Sequence, residues 1–246
     1  MKARSMRVLV INPNTSASVT DMVMASCRKA CPALHWDGAT AAFGAAYVAS
    51  EVAYAIAAHA MLDAFAENYA DHDAVLIACF GEPGLLALRE ICPVPVIGLA
   101  EASFLAAEKR GPFAVVTGGK AWEPMLTRFA RTHQLDTQLL GVYTVELTGA
   151  QIASAPEAAL ESLRDACRQG MDAGAKSIVL GGAALVGMAA GLQKQLAVPV
   201  LDNVLLGAEA VATATVQARA RSGARPPSMS ASPVRGLSAA LSRLLS

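Results

Sequence analysis

Charge is scarce in this chain of 246 residues: Asp, Glu, Lys and Arg make up 16% of it, and 20 basic residues balance 20 acidic ones. Without net charge or a basic stripe, the long-range pull toward phosphate backbones or anionic lipid is missing. Neither nucleic acid nor membrane is expected as a partner; a small-molecule substrate is. Long hydrophobic runs are missing too. The longest uncharged stretch, Ser177 to Leu192, has 16 residues, short of the ~20 that a spanning helix needs. The basic N-terminus MKARSM leads only into Met6 to Ile11 and then Asn-Pro-Asn, with no small-residue cleavage site. Cys27, Cys31, Cys79, Cys92 and Cys167 are odd in number, in a chain long enough to stabilise itself by burial, so no disulfide framework is expected. The reducing cytoplasm is the expected compartment.

Several catalytic signatures are absent as well. Position 114 is Ala where a phosphate-binding loop ending in Gly119-Lys120 would require glycine. Gly181, Gly182 and Gly187 lack the dinucleotide spacing, and no G-x-S-x-G elbow occurs. His35, His59, His72 and His133 are scattered, and the cysteines lack C-x-x-C spacing. His59, in an Ala-rich stretch, reads as a packed or helix-face residue. No metal and no cofactor is expected.

What is present is a 54% apolar chain in which short β-branched runs alternate with Ala-rich segments. Arg7 to Asn12, Ala74 to Cys79, Pro95 to Leu99, Phe113 to Thr117, Ser177 to Gly182 and Pro199 to Asp202 lack polar alternation and predict buried strands. Val19 to Lys29, Ser50 to Tyr69, Gly84 to Glu90, Ala100 to Lys109, Ala121 to His133, Pro156 to Ala173, Ala184 to Gln195 and Val204 to Ala218 predict helices. Strand then helix, repeated, means α/β architecture with parallel sheets. DAVLIACFGEPGLLALREICPVPVIGLAEA and KSIVLGGAALVGMAAGLQKQLAVPVLDNVLLGAEA share one order: strand, glycine turn, helix, then a Val-Pro-Val strand. Cys79 precedes Pro95 by 16 residues and Gly182 precedes Pro199 by 17. The expected organisation is therefore two pseudo-symmetric doubly wound halves, 1–99 with 203–220 returning to it, and 100–202. Residues 221–246 turn to Arg, Ser, Pro and Gly and end in LSAALSRLLS, a mobile tail with a short docking helix.

In open parallel sheets, ligands bind beyond the carboxyl ends of strands, where helix N-termini present unsatisfied amides. Four turns qualify: 12–16, 79–84, 117–120 and 181–184. In CFGEPG, a thiol at a strand end precedes Gly81, Pro83 and Gly84 at the start of a helix. Positive dipole potential there favours thiolate, which makes Cys79 a candidate base or nucleophile; a lone intracellular cysteine can equally be a small buried hydrophobe. Asn14 and Thr15, in a turn with more polar groups than helix capping needs, are candidate substrate contacts. Thr117, Gly118 and Gly119 can offer amides to a carboxylate or imide oxygen, or form an ordinary βα turn. Phe43 and Tyr47 read as core aromatics or as part of a lid.

INPNTS, IACFGEPGLLALRE, PVIGLAEAS, VLGGAALVGMA and VPVLD together resemble the aspartate/glutamate/hydantoin racemase family, most of all its hydantoin and allantoin branch, over residues 6 to 215. The resemblance implies two pseudo-symmetric domains with an interdomain active site, assembly as a homo-oligomer, and a cofactor-independent mechanism. In that mechanism, two cysteines on opposite faces of the α-carbon remove and return a proton. Cys79 corresponds to the first. The second falls in a turn that the family usually writes Leu-Gly-Cys, and here the residues are Leu180, Gly181 and Gly182. Amides at Phe80, Gly81, Gly182 and Ala183 can stabilise an enolate oxygen, while Cys79 exchanges a proton on one face. The leading expectation is an isomerase acting on a hydantoin or amino acid. The alternatives are a single-cysteine decarboxylase or other lyase, and a non-catalytic binding protein. The segment Phe43 to Ala53 differs from the more polar loop of hydantoin and allantoin racemases, which argues against allantoin.

Overall fold

A computed structural model describes residues 5–146, 155–220 and 234–245. Two parallel four-stranded sheets organise them. β1 (Arg7–Asn12), β2 (His35–Thr40), β3 (Ala74–Ile77) and β4 (Val96–Gly98) lie in the order β2-β1-β3-β4; β5 (Phe113–Gly118), β6 (Leu139–Val145), β7 (Ser177–Gly181) and β8 (Val200–Asp202) lie in the order β6-β5-β7-β8. The inner strands are aliphatic because both faces are covered: Val8, Val10, Ile11, Val75, Leu76, Ile77, Val115, Val116, Val179 and Leu180 are all fully buried.

In each sheet the chain runs from its first strand to one side and from its third to the other. The crevice where the strand order reverses therefore lies between β1 and β3, and again between β5 and β7. The loops that leave these four strands are the four turns singled out from the sequence.

The halves share one core. The largest buried cluster takes Val8, Val10 and Leu76 from the first sheet together with Phe113, Val115 and Val179 from the second. Phe104, on α4 (Leu99–Glu108), sits at its centre with ring centroids 6.0 Å from Phe80, 5.4 Å from Phe113 and 6.0 Å from Phe129. Offset and edge-on aromatic contacts of this kind add to area burial. The long helix α8 (Asn203–Ala220) packs on α4, on α1 (Ala17–Ala30) and on β3.

Helices α2 (Glu51–Asn68), α3 (Leu85–Ile91), α5 (Trp122–Thr132), α6 (Pro156–Asp172) and α7 (Ala189–Gln193) fall where Ala, Leu and Glu accumulate. The single helix expected over Ala184 to Gln195 is instead a 3₁₀ turn, Ala183–Leu185, followed by α7. The break is at Gly187, whose φ of +83° is not helical, and its N–H is taken by Asp202 Oδ2 at 2.9 Å.

Two strands appear that the aliphatic runs did not predict, β2 and β6. Both are edge strands with one neighbour each. Of the expected tail, 221–233 and 246 lie outside the described residues. α9 (Ala239–Leu244) lies on α2 with Leu241 buried and Leu244 against the cluster around Met61 and Phe65.

Candidate active site

A cavity of about 460 Å³ opens between the carboxyl ends of the two sheets. Seven of the ten residues singled out from the sequence line it: Asn14, Cys79, Phe80, Thr117, Gly118, Gly182 and Ala183. Thr15, Gly81 and Gly119 are not on its wall. Thr15 spends its amide on Ala45 O at 3.1 Å, which ties the first turn to the 41–50 loop. A Cβ at Gly119 would lie 2.7 Å from Tyr47 Oη, and one at Gly81 would lie 2.7 Å from the Trp122 ring. Both glycines, at φ +87° and +107°, are small because an aromatic side chain presses on them.

The first turn is built by two amides. Buried Asn12 Nδ2 donates to Asn14 Oδ1 (2.9 Å), Ser16 O (3.0 Å) and Thr20 Oγ1 (3.1 Å). Asn14 Oδ1 also accepts from the Ser16 amide at 2.9 Å. With that oxygen committed, the Asn14 Nδ2 group is the donor this turn can offer to the cavity. Ser16 and Ser18 add two hydroxyls to the same wall.

Cys79 lies just past β3 and is 7% exposed. The dipole argument predicts a favoured thiolate, and the structure reverses it. Burial pushes the thiol up to about 12, with the nearby Glu82 carboxyl adding to the rise. Helix α3 begins only at Leu85, too far along the chain to offset the loss of water. At neutral pH the resting group is a thiol. The remaining cysteines stay out of the cavity: Cys27, Cys92 and Cys167 are buried and Cys31 is half-buried.

The turn after β3 is gripped from both halves. The Phe80 ring fills the space a Cβ at Gly181 would need, and Trp122 covers Gly81. Tyr54 Oη donates to Gly81 O at 2.7 Å. On the opposite side, Asn203 Nδ2 donates to Leu180 O (2.8 Å) and Gly182 O (3.2 Å), which holds the turn after β7.

Sequence reasoning missed most of the apolar wall, formed by Val19, Met22, Val48, Trp122 and Leu185, and it left Tyr47 open between core and lid. Tyr47 is 38% exposed and Phe43 37%, so neither is a core residue. Tyr47 lines the cavity and donates to Gly118 O at 2.9 Å, bridging the 41–50 loop to the second sheet. Phe43 stands on the surface, edge-on to His59 at 5.1 Å. The periodicity of Val19 and Met22 on α1 was a usable signal, since they sit one turn beyond the polar turn. Nothing local marked Trp122. No group of His, Cys, Asp or Glu suited to a metal occurs among the described residues.

The family profile described as Asp/Glu/Hydantoin racemase matches residues 8–211. Hydantoin racemase of Paenarthrobacter aurescens is 33% identical over 208 residues, covering 81% of this chain and 86% of that protein. Hydantoin racemase of Pseudomonas sp. (strain NS671) is 30% identical over 206 residues, covering 82% and 83%. The solved structure of allantoin racemase from Klebsiella pneumoniae superposes with a TM-score of 0.84 at 27% identity, over 98% of this chain and 99% of that one. With its paired four-stranded sheets and the cleft between them, the chain belongs to the Asp/Glu/hydantoin racemase family.

Proposed function

We propose that the protein is a cofactor-independent isomerase that works at the α-carbon of a small carbonyl compound, with Cys79, once ionised to the thiolate, as the base on one face. The observation that carries this reading is the place of Cys79 on the wall of the intersheet cavity, which Phe80, Gly182 and Ala183 also line and where their backbone amides are the candidate donors. Such donors stabilise an enolate oxygen as charge develops. Among the described residues no Lys, Arg, Asp, Glu or His side chain lines the cavity, so a neutral ring such as a 5-substituted hydantoin is favoured over a free amino acid, whose two charges would be desolvated without partners. The curated hydantoin racemase relatives support the same class. A panel of enantiopure hydantoins and amino acids in deuterium oxide tests it: optical rotation should decay and the α-hydrogen should exchange for hydantoins first. No exchange across the panel would sink it.

A second reading is favoured by Gly182 and by the protonated resting state of Cys79. A thiol with glycine opposite is suited to giving a proton to a carbanion formed by decarboxylation. The carbon–carbon bond to the carboxylate breaks, carbon dioxide leaves, its electron pair enters an enolate, and the S–H proton passes to the α-carbon, with water restoring the thiol. Release of carbon dioxide from malonate-type substrates with one enantiomer formed would select this reading. The proposed setting is the cytoplasm, as a homo-oligomer; among the described residues no helix is long and apolar enough to cross a membrane.

A further inference from the structure

Glu82 has no part in either reaction above, yet it is 1% exposed. Its φ is +43°, a left-handed conformation that is free for glycine and costly for any residue with a side chain. The side chain, not the turn, therefore accounts for a glutamate here. It points away from the cavity wall and runs beneath Gly98, where a Cβ would collide with its Cγ and Cδ. Oε1 accepts the amide of Ala100 in the first turn of α4, and the Glu101 amide also donates to the carboxyl. Oε2 is buried without a partner.

The second half does the same work from a different position. Gly98 ends β4 directly before α4, and Asp202 ends β8 directly before α8. Gly98 pairs with Ile77 and Asp202 with Leu180, the corresponding residues of the inner strands. Asp202 Oδ1 accepts from Val204 (2.9 Å) and Leu205 (3.2 Å), while Oδ2 accepts from Gly187 (2.9 Å) in the loop after β7. One buried carboxyl in each half thus ties the loop beyond the inner strand to the helix beyond the outer strand. It comes from the strand end in the second half and from the loop in the first.

We infer that Glu82 is a positioning residue that clamps the 79–84 turn to the start of α4 and so aims Cys79 and the Phe80 amide into the cavity. The inference rests on the reading of Cys79 as the reacting group. The charged and titratable groups facing Glu82 are Cys79 in its own turn, Tyr54 from α2, Arg89 from α3 and Glu101 from α4. Arg89 is committed to Glu101, which leaves Glu82 the unpaired acid of the group, and burial carries its carboxyl up to about 8. Once ionised, it opposes formation of the Cys79 thiolate.

Two measurements test the role. The first is iodoacetamide labelling of Cys79 against pH, read by mass spectrometry of the Cys79 peptide in the wild type and in Glu82→Gln. The labelling curve should move to lower pH by about half a unit or more in the variant, since a neighbouring charge is gone. Superposable curves would overturn the proposal. The second is α-hydrogen exchange of a 5-benzylhydantoin. Glu82→Ala should lower kcat about tenfold or more, because small misplacements of a reacting group are costly, and adding Gly98→Asp should restore most of the loss. Wild-type kcat in Glu82→Ala, or a double variant no better than the single one, would contradict the clamp. Labelling reads the thiol directly, so the first measurement tests the contact between the Glu82 carboxyl and Cys79 whether or not hydantoins are turned over, and the second tests the clamp itself.

Discussion

Cys79 and Gly182 occupy the same place in the two halves of the fold. Cys79 is two residues beyond Ile77, which pairs with Ile11 on one side and Gly98 on the other; Gly182 is two residues beyond Leu180, which pairs with Val116 and Asp202. Strand register thus aligns the thiol with a glycine, independently of the sequence repeat. A Cβ at 182 would meet nothing closer than 3.7 Å, from Leu185 and Thr117 Oγ1, although the glycine sits at φ +123°.

Space without conformational ease gives a two-sided prediction for Gly182→Cys. The positive-φ backbone should cost about 1–3 kcal/mol, which in a chain of this size lowers Tm by roughly 2–12 °C. The new thiol should raise the ratio of racemisation to α-hydrogen exchange about tenfold or more, followed by polarimetry beside proton NMR. An unchanged ratio in a folded variant would show that residue 182 does not face the reacting carbon.

The buried carboxyl of Glu82 predicts how stability varies with pH. Its folded-state value, about 8, lies above the ordinary 4.5, so between those values the folded chain holds a proton that the unfolded chain has lost. Stability should be fully present below about 4.5 and decline as pH rises toward 8. Thermal unfolding at pH 5 and pH 8 should show a lower Tm at pH 8, with a smaller difference in Glu82→Gln. A Tm that rises over this interval, with no change of slope in the variant, would contradict the assignment.

Tyr47 links the 41–50 loop to the second sheet through one hydrogen bond to Gly118 O. Tyr47→Phe keeps the ring on the wall and removes the bond, a loss of about 1 kcal/mol, or roughly fivefold in KM. Steady-state kinetics should show the change in KM more than in kcat.

Phe104 is fully buried where the two halves meet. Phe104→Ala should destabilise the fold by about 3–5 kcal/mol, seen as a lower denaturant midpoint at constant slope. A shift under 1 kcal/mol would mean that the core closes over the gap.

Much of this architecture is legible in the sequence, and its limits have physical causes. The inner strands stand out because burial on both faces demands runs such as RVLVIN and SIVLGG. β2 does not, because HWDGAT carries His, Asp and Gly at a sheet edge; pairing with β1 in register from Arg7↔His35 holds it, with Trp36 as its anchor in the core. β6 carried Val142, Tyr143, Thr144 and Val145, a β-branched and aromatic signal that was there to be used. In the site, polar and glycine-rich turns marked Asn14, Cys79, Thr117 and Gly182. Trp122 and Leu185 reach the cavity wall only through tertiary packing. The ionisation of Cys79 was misjudged because a local dipole can be read from sequence, whereas the extent of burial that outweighs it cannot.

The most direct test of the account is solvent deuterium uptake at C5 of an enantiopure 5-substituted hydantoin, measured side by side for the wild type and Cys79→Ser. The wild type should exchange the hydrogen, and the variant, still folded by circular dichroism, should lose the rate by a factor on the order of 10² or more. Equal exchange by both proteins would remove Cys79 from the chemistry.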